Sequence, residues 1–315
     1  MWRYPAILIT LVALGASAGS AVPSGSPRAS PDEIVGRWDI IIQTPERPLP
    51  SWLEVRRSGR ATLVGQFVGD VGSARPIAKV ELSGGEMRFS IPPQWEQGEG
   101  DLSFQGRVAG GGLTGSMTYP DGRRFNWTAK RAASLKRRTA PTWAKPMRLF
   151  NGSNLAGWHV VGANHWRAMD GVLQNTESGG NLVTDGKFTD FKLHLEFRYP
   201  KGGNSGVYLR GRHEVQIEDR DATEPALDGL GAIYGFIAPS ELAGKKPGEW
   251  QTYDITLAGR MVTVVLNGKT VISNREIPGI TGGALDSDEG APGPLFLQGD
   301  HGPVEFRKII LTPAK

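Results

Sequence analysis

Phe191-Lys192-Leu193-His194-Leu195-Glu196-Phe197-Arg198-Tyr199 alternates without a break over nine residues. Phe191, Leu193, Leu195, Phe197 and Tyr199 face one way; Lys192, His194, Glu196 and Arg198 face the other, the period of a half-buried strand. Outward from this stretch, Val207–Arg210 and His213–Glu218 follow at short intervals. Further on, Glu249–Leu257 precedes Met261–Leu266, Asn267-Gly268 and Lys269–Ile272, a hairpin whose turn pair favours positive φ. Gly (43) and Pro (22) punctuate these segments, and no long helical period interrupts them. An all-β chain is predicted, with its second half (147–315) a two-sheet jelly roll.

The first half carries the same signature in shorter pieces. Trp52–Val55, Lys79–Leu82 and Met87–Ile91 alternate, with turns at Ser83-Gly84-Gly85 and Gly110-Gly111-Gly112. A small antiparallel β-barrel-like domain is expected over 32–131. Its opening, Gly36-Arg37-Trp38, resembles that of small lipocalin-like barrels, in which the Trp plugs one end. No His occurs before position 159, so this domain reads as an accessory. Between the halves, 132–146 is rich in Lys, Arg and Pro. A nucleic-acid surface would interleave aromatic residues among the charges; here Ala, Thr and Pro surround Lys136-Arg137-Arg138, so a solvated linker is expected.

Composition narrows the chemistry. The chain has 315 residues, a net charge of +4 and no Cys, which excludes thiolate metal sites, Cys nucleophiles, iron–sulfur clusters and disulfides. Residues 5–18 form a short apolar run after Arg3, followed by small residues suited to cleavage. Residues 1–21 therefore read as a signal peptide, and a periplasmic or secreted protein with no membrane association after processing is expected.

Two polar clusters stand out. In Gly293–Arg307, Gln298, Asp300 and His301 lie among glycines that pack nothing and suggest close approach of a ligand or backbone. In Glu214-Val215-Gln216-Ile217-Glu218, the polar side chains share one face and Asp219 follows directly. An ordinary glycosidase needs two carboxylates about 5–9.5 Å apart. Glu214 and Glu218 start about 13 Å apart along a strand, with Gln216 between them. No nucleophile elbow, phosphate loop or His-Glu-x-x-His is present. No cofactor is specified; a divalent cation held by some of Glu214, Asp219, Asp300 and His301 is allowed but not fixed by the spacing. Asp286–Gly290 reads as an exposed acidic turn.

Taken in order, the motifs resemble those of the 3-keto-disaccharide hydrolase family. They are Leu149-Phe150-Asn151-Gly152 with Gly157-Trp158; Asn204–Arg210; Glu214–Ile217 with Asp219; and Gly231–Gly235. Gly248-Glu249-Trp250, Leu266-Asn267-Gly268 and Leu297–Val304 with Phe306-Arg307 complete the series. The resemblance covers about 147–313; Lys308 departs from the usual Asn. It implies a concanavalin A-like jelly roll that cleaves glycosides and disaccharides already oxidised to a ketone at C3. Abstraction of the C2 proton, elimination and hydration would be the route, which requires no close carboxylate pair. It further implies Glu214 and His301 as the catalytic base and acid, in either order. Arg210, Gln216, Tyr234, Gln298 and Arg307 would bind substrate, and Asp219 and Asp300 would orient neighbours or hold a cation. The alternative is a non-catalytic carbohydrate-binding protein in which Trp158, Trp166 and Tyr234 stack on a sugar.

Overall fold

The computed structural model describes residues 30–315; the expected signal peptide lies outside them. Among the described residues, no helix is long and apolar enough to cross a membrane. After one short helical turn (Pro31–Ile34) come eight antiparallel strands: β1 (Gly36–Gln43), β2 (Pro48–Ser58), β3 (Thr62–Val68), β4 (Arg75–Ser83), β5 (Glu86–Ile91), β6 (Leu102–Ala109), β7 (Gly112–Thr118) and β8 (Arg124–Arg131). They pair in sequence, and β8 returns to β1, closing a barrel. Closure leaves no unpaired edge. The interior is apolar, with Phe67, Phe89 and Phe104 grouped around an 8° stack of the last two rings, 4.5 Å between centroids. Trp38 is buried as expected, its indole N–H donating to the Ile34 carbonyl at 2.8 Å. Gly106 and Gly115 stand opposite each other on β6 and β7 because a Cβ at either position would run into the Trp127 ring.

The second half forms two packed sheets. Short β9 (Met147–Arg148) leads into β10 (Trp158–Val161), β11 (Trp166–Met169), β12 (Val172–Asn175), β13 (Asn181–Phe188) and β14 (Phe191–Arg198). Next come β15 (Asn204–Leu209), β16 (His213–Glu218), β17 (Gln251–Ala258), β18 (Met261–Leu266) and β19 (Lys269–Glu276). The last strands are β20 (Gly293–Leu297) and β21 (Val304–Pro313). One sheet has the order β10-β13-β20-β15-β16; the other runs β11-β12-β21-β14-β17-β18-β19, with β9 beside β21. The nine-residue alternating stretch is β14 and its first following residue, set between β17 and β21. Its five apolar side chains enter the core between the sheets and join Val207, Leu209, Val215 and Ile217 from the opposite sheet. Asn267 and Gly268 have φ of 51° and 81°, the turn expected from that pair.

The two halves dock through close backbone contact. Trp52 of the barrel is fully buried against Ile280, Ala284 and Phe236, with a 5.5 Å edge-to-face contact to the last ring. The Gly283 N–H donates to the Asp70 carbonyl at 2.7 Å. Gly282 has no room for a Cβ because the Gly72 backbone occupies that space. The connecting segment is largely exposed, as expected, yet it is pinned: Arg260 donates to the Ala133 carbonyl, and Arg137 pairs with the buried Asp190 at 2.7 Å. Asp286–Gly290, expected as an exposed acidic turn, is instead part of this contact region. Glu289 is buried against Arg260 at 2.5 Å, Asp286 pairs with Arg212, and Asp288 pairs with Lys130 of the barrel.

Candidate active site

The antiparallel pair β15–β16 builds the floor. Opposed residues on such a ladder share a face, and the register sets Asn204 against Glu218, Gly206 against Gln216 and Tyr208 against Glu214. Val207, Leu209, Val215 and Ile217, one residue out of phase, serve the core. One face is therefore polar and the other apolar because strand side chains alternate. That polar face opens into a cleft of 680 Å³, also lined by Tyr234, Gln298, Asp300 and His301.

Glu214 is nearly inaccessible, and its carboxyl fits only because Gly206 carries no side chain; a Cβ there would collide with it. Oε2 lies 2.9 Å from the Tyr208 hydroxyl, and the backbone N–H donates to Thr281 Oγ1 at 3.0 Å. Burial pushes the Glu214 carboxyl up to about 8, against the opposing influences of Tyr208 and His301. The Tyr208 ring is itself stacked on Phe296, 4.2 Å between centroids, so the partner of the carboxyl is held rigidly.

His301 follows β20, where its Nδ1 meets Asp300 Oδ1 at 2.5 Å. That bond, against the penalty of partial burial, raises its pKa, and it leaves Nε2 as the ring nitrogen able to exchange a proton with a ligand. Gln298 is anchored by its backbone, its N–H donating to the Gly206 carbonyl at 2.9 Å, while its side-chain Oε1 is buried without a partner. Tyr234 is pushed up to about 12, first by burial and then by Glu214, so it keeps its proton at neutral pH. Gln216 lines the floor with its Oε1 turned onto the Ile217 N–H.

Three expected site residues are placed elsewhere. Alternation from Tyr208 would direct Arg210 into the cleft, but β15 ends at Leu209, and Arg210 and Gly211 turn with φ of 54° and 67°. The Arg210 guanidinium instead donates to the Gly259 carbonyl at 2.9 Å and lies beside His213; burial lowers its pKa to about 10. Arg307 belongs to the other sheet. A bulge between His194 and Glu196 in the β14–β21 ladder brings Arg307 and Lys308 together on Glu196, at 2.5 Å and 2.6 Å, with Arg307 over Trp250. Asp219 Oδ2 accepts from the Gly202 N–H at 2.7 Å and closes the loop before β15. Asp219 and Asp300 do not share a site, and among the described residues no three His, Asp or Glu side chains gather as a ligand set. Trp158 and Trp166, candidates for sugar stacking, are buried, with indoles bonded to the Leu149 and Gly180 carbonyls.

The cleft also recruits residues not singled out in the sequence. Asp228 and Arg220 join it, and Arg220 binds both Asp228 and Glu218 at 2.8 Å and 2.9 Å. Tyr208 sits within the Asn204–Arg210 motif, which could have flagged it. Val71, Gly72, Gln94 and Trp95 come from the barrel, for which no sequence signal existed.

Comparison with known proteins singles out the same half of the chain. Residues 145–312, just over half of it, match the family described as 3-keto-alpha-glucoside-1,2-lyase-like domain. A 3-keto-disaccharide hydrolase of Bacteroides thetaiotaomicron is 32% identical over 89 residues, 24% of this chain and 30% of that protein. The chain thus matches less than a third of this curated relative's length. A solved Parabacteroides distasonis protein assigned as a glycosyl hydrolase is 29% identical, with a TM-score of 0.46, covering 56% of this chain and 92% of its own. A second from that organism, similarly assigned, is 28% identical with a TM-score of 0.43, covering 53% and 98%.

Proposed function

Because the chain belongs to the 3-keto-alpha-glucoside-1,2-lyase-like family through residues 145–312, we propose that it hydrolyses disaccharides and other glycosides already oxidised to a ketone at C3. One observation carries the reading: a buried carboxyl, Glu214, whose pKa burial raises, and an imidazole braced by a carboxylate, His301, line one cleft.

The C3 ketone acidifies the proton on C2. His301 Nε2, with Nδ1 held by Asp300, takes that proton, and the C–H electrons pass onto the C3 oxygen as an enolate. Tyr234 and Gln298 offer a phenol and an amide as donors to the developing charge. Return of those electrons re-forms the ketone, creates a C1=C2 bond and breaks the C1–O bond. Glu214 protonates the departing oxygen. Water then adds at C1, Glu214 recovers a proton from it, and His301, its proton exchanged with solvent in the meantime, protonates C2. The net reaction is hydrolysis, with no second carboxylate required. This order gives His301 the part of base and Glu214 that of acid, the assignment favoured by the neutral carboxyl.

The test is turnover in D2O of a 3-keto disaccharide beside its unoxidised parent. Cleavage of the keto sugar alone, with deuterium at C2 of the released keto monosaccharide, is expected. Failure to cleave the keto sugar would overturn the activity, and cleavage without C2 exchange would overturn the elimination.

A further inference from the structure

The cleft is not completed by the jelly roll. Its far wall is the barrel: Val71 and Gly72 from the β3–β4 loop, and Gln94 and Trp95 from the β5–β6 loop. Trp95 is 68% exposed and Val71 52%, among the most exposed large apolar residues of the described chain. An indole facing water costs apolar hydration unless something covers it.

The backbone beneath Trp95 is firmly held. Arg75, buried, grips Glu96 through two bonds of 2.9 Å and 3.1 Å. The second Glu96 oxygen, Oε2, also accepts from the Gln94 and Trp95 backbone N–H groups at 2.8 Å and 3.1 Å. Gln94 in turn receives the Ser73 N–H at 3.0 Å, tying the two loops together. Gly72 lies where they meet: a Cβ there would strike Gln94 and Trp95, and its backbone is what excludes a Cβ from Gly282 on the other side. The arrangement is an exposed aromatic ring on a rigid mount, on the wall of a cleft whose floor carries Glu214 and whose rim carries Asp300 and His301.

We propose that Trp95, with Val71 and Gln94, forms a subsite for the second ring of a disaccharide, the ring beyond the keto sugar. A pyranose offers an apolar face of C–H groups to a flat aromatic ring and hydroxyls at its edge. Trp95 supplies the ring and Gln94 the amide, so the barrel determines how much of the glycoside the enzyme recognises. This rests on the reading above that the keto sugar occupies the Glu214–His301 end.

The experiment compares wild type, Trp95→Ala and Trp95→Phe as full chains on a 3-keto disaccharide and on the 3-keto methyl glycoside of the same sugar. In Trp95→Ala, KM for the disaccharide should rise about tenfold with kcat little changed, the loss of one aromatic contact. KM for the methyl glycoside should stay within about twofold, and Trp95→Phe should recover most of the loss. Equal effects on both substrates, or none, would overturn the subsite. Calorimetric titration with unoxidised maltose, cellobiose, sucrose and α,α-trehalose separates this inference from the reading it rests on. If no keto sugar is cleaved, that reading fails, while disaccharide binding weakened in Trp95→Ala and kept in Trp95→Phe still supports the subsite. Binding of none of the four by wild type, or equal binding by Trp95→Ala, would overturn it. Trp95 is exposed, so the variants should melt with wild type.

Discussion

The Tyr208 hydroxyl lies 2.9 Å from Glu214 Oε2 and equally 2.9 Å from the Gly282 carbonyl oxygen. A phenol has one proton, so it cannot donate to both. The two acceptors therefore compete for the Tyr208 proton, and the share that Gly282 takes is withdrawn from Glu214. Burial raises the Glu214 carboxyl to about 8 against what remains of that donation.

Replacing Glu214 with Gln should lower kcat by about 10²–10⁴-fold, the usual worth of a positioned acid, while leaving the fold intact. The same change should flatten the stability profile. A carboxyl raised from 4.5 to about 8 contributes stability that is present below its ordinary pKa and lost as pH rises toward 8. Wild type should therefore lose on the order of 2 kcal/mol relative to Glu214→Gln between pH 6 and pH 8. Parallel denaturant midpoints across that range would show that Glu214 is ionised in the folded protein.

The pH dependence of kcat/KM should be a narrow bell. Its rising limb belongs to His301, held above 6.5 by Asp300, and its falling limb, near 8, to Glu214. Asp300→Asn removes the carboxylate charge that helps to raise the imidazole, so the rising limb should move to lower pH as the maximum falls. A limb that stays in place would dissociate His301 from the base.

Gly206→Ala should remove most activity without touching a reactive group. The new methyl would occupy the space of the Glu214 carboxyl, forcing it from Tyr208. Overpacking of this kind costs about 1–3 kcal/mol in stability; an active, fully stable variant would mean that the carboxyl has room to spare.

A second carboxyl should report on the contact between the barrel and the jelly roll. Burial, and then Glu289, push Asp39 up to about 8, and Asp39 Oδ1 and Glu289 Oε1 are both buried without partners. Stability is again lost as pH rises from 3.8 toward 8. Asp39→Asn should raise the melting temperature at pH 8.5 more than at pH 5; an equal shift at both would show that Asp39 is already ionised.

Much of the fold and of the cleft is legible in the sequence. Local alternation identified the central strand β14 and the polar face of β16, and the motif order pointed to Glu214, Gln216, Tyr234, Gln298, Asp300 and His301, all of which line one cleft. The misplacements arose where alternation stops. Arg210 lies just past the end of β15 with positive φ, and Arg307 is redirected by a bulge next to Lys308, itself at φ 51°. Neither event has a period that a sequence displays.

Strand faces follow from a backbone repeat of two residues, a local property that each segment carries with it. The sequence alone therefore determined the β character, the two β units and the side of β16 that could do chemistry. The far wall of the cleft is different in kind. Trp95 lines the same cleft as Glu214 only because the barrel seats against the 279–284 segment, where Trp52 is buried and Gly72 meets Gly282 backbone to backbone. Such an approach depends on the shapes of two finished surfaces, and no spacing between residues 95 and 214 encodes it.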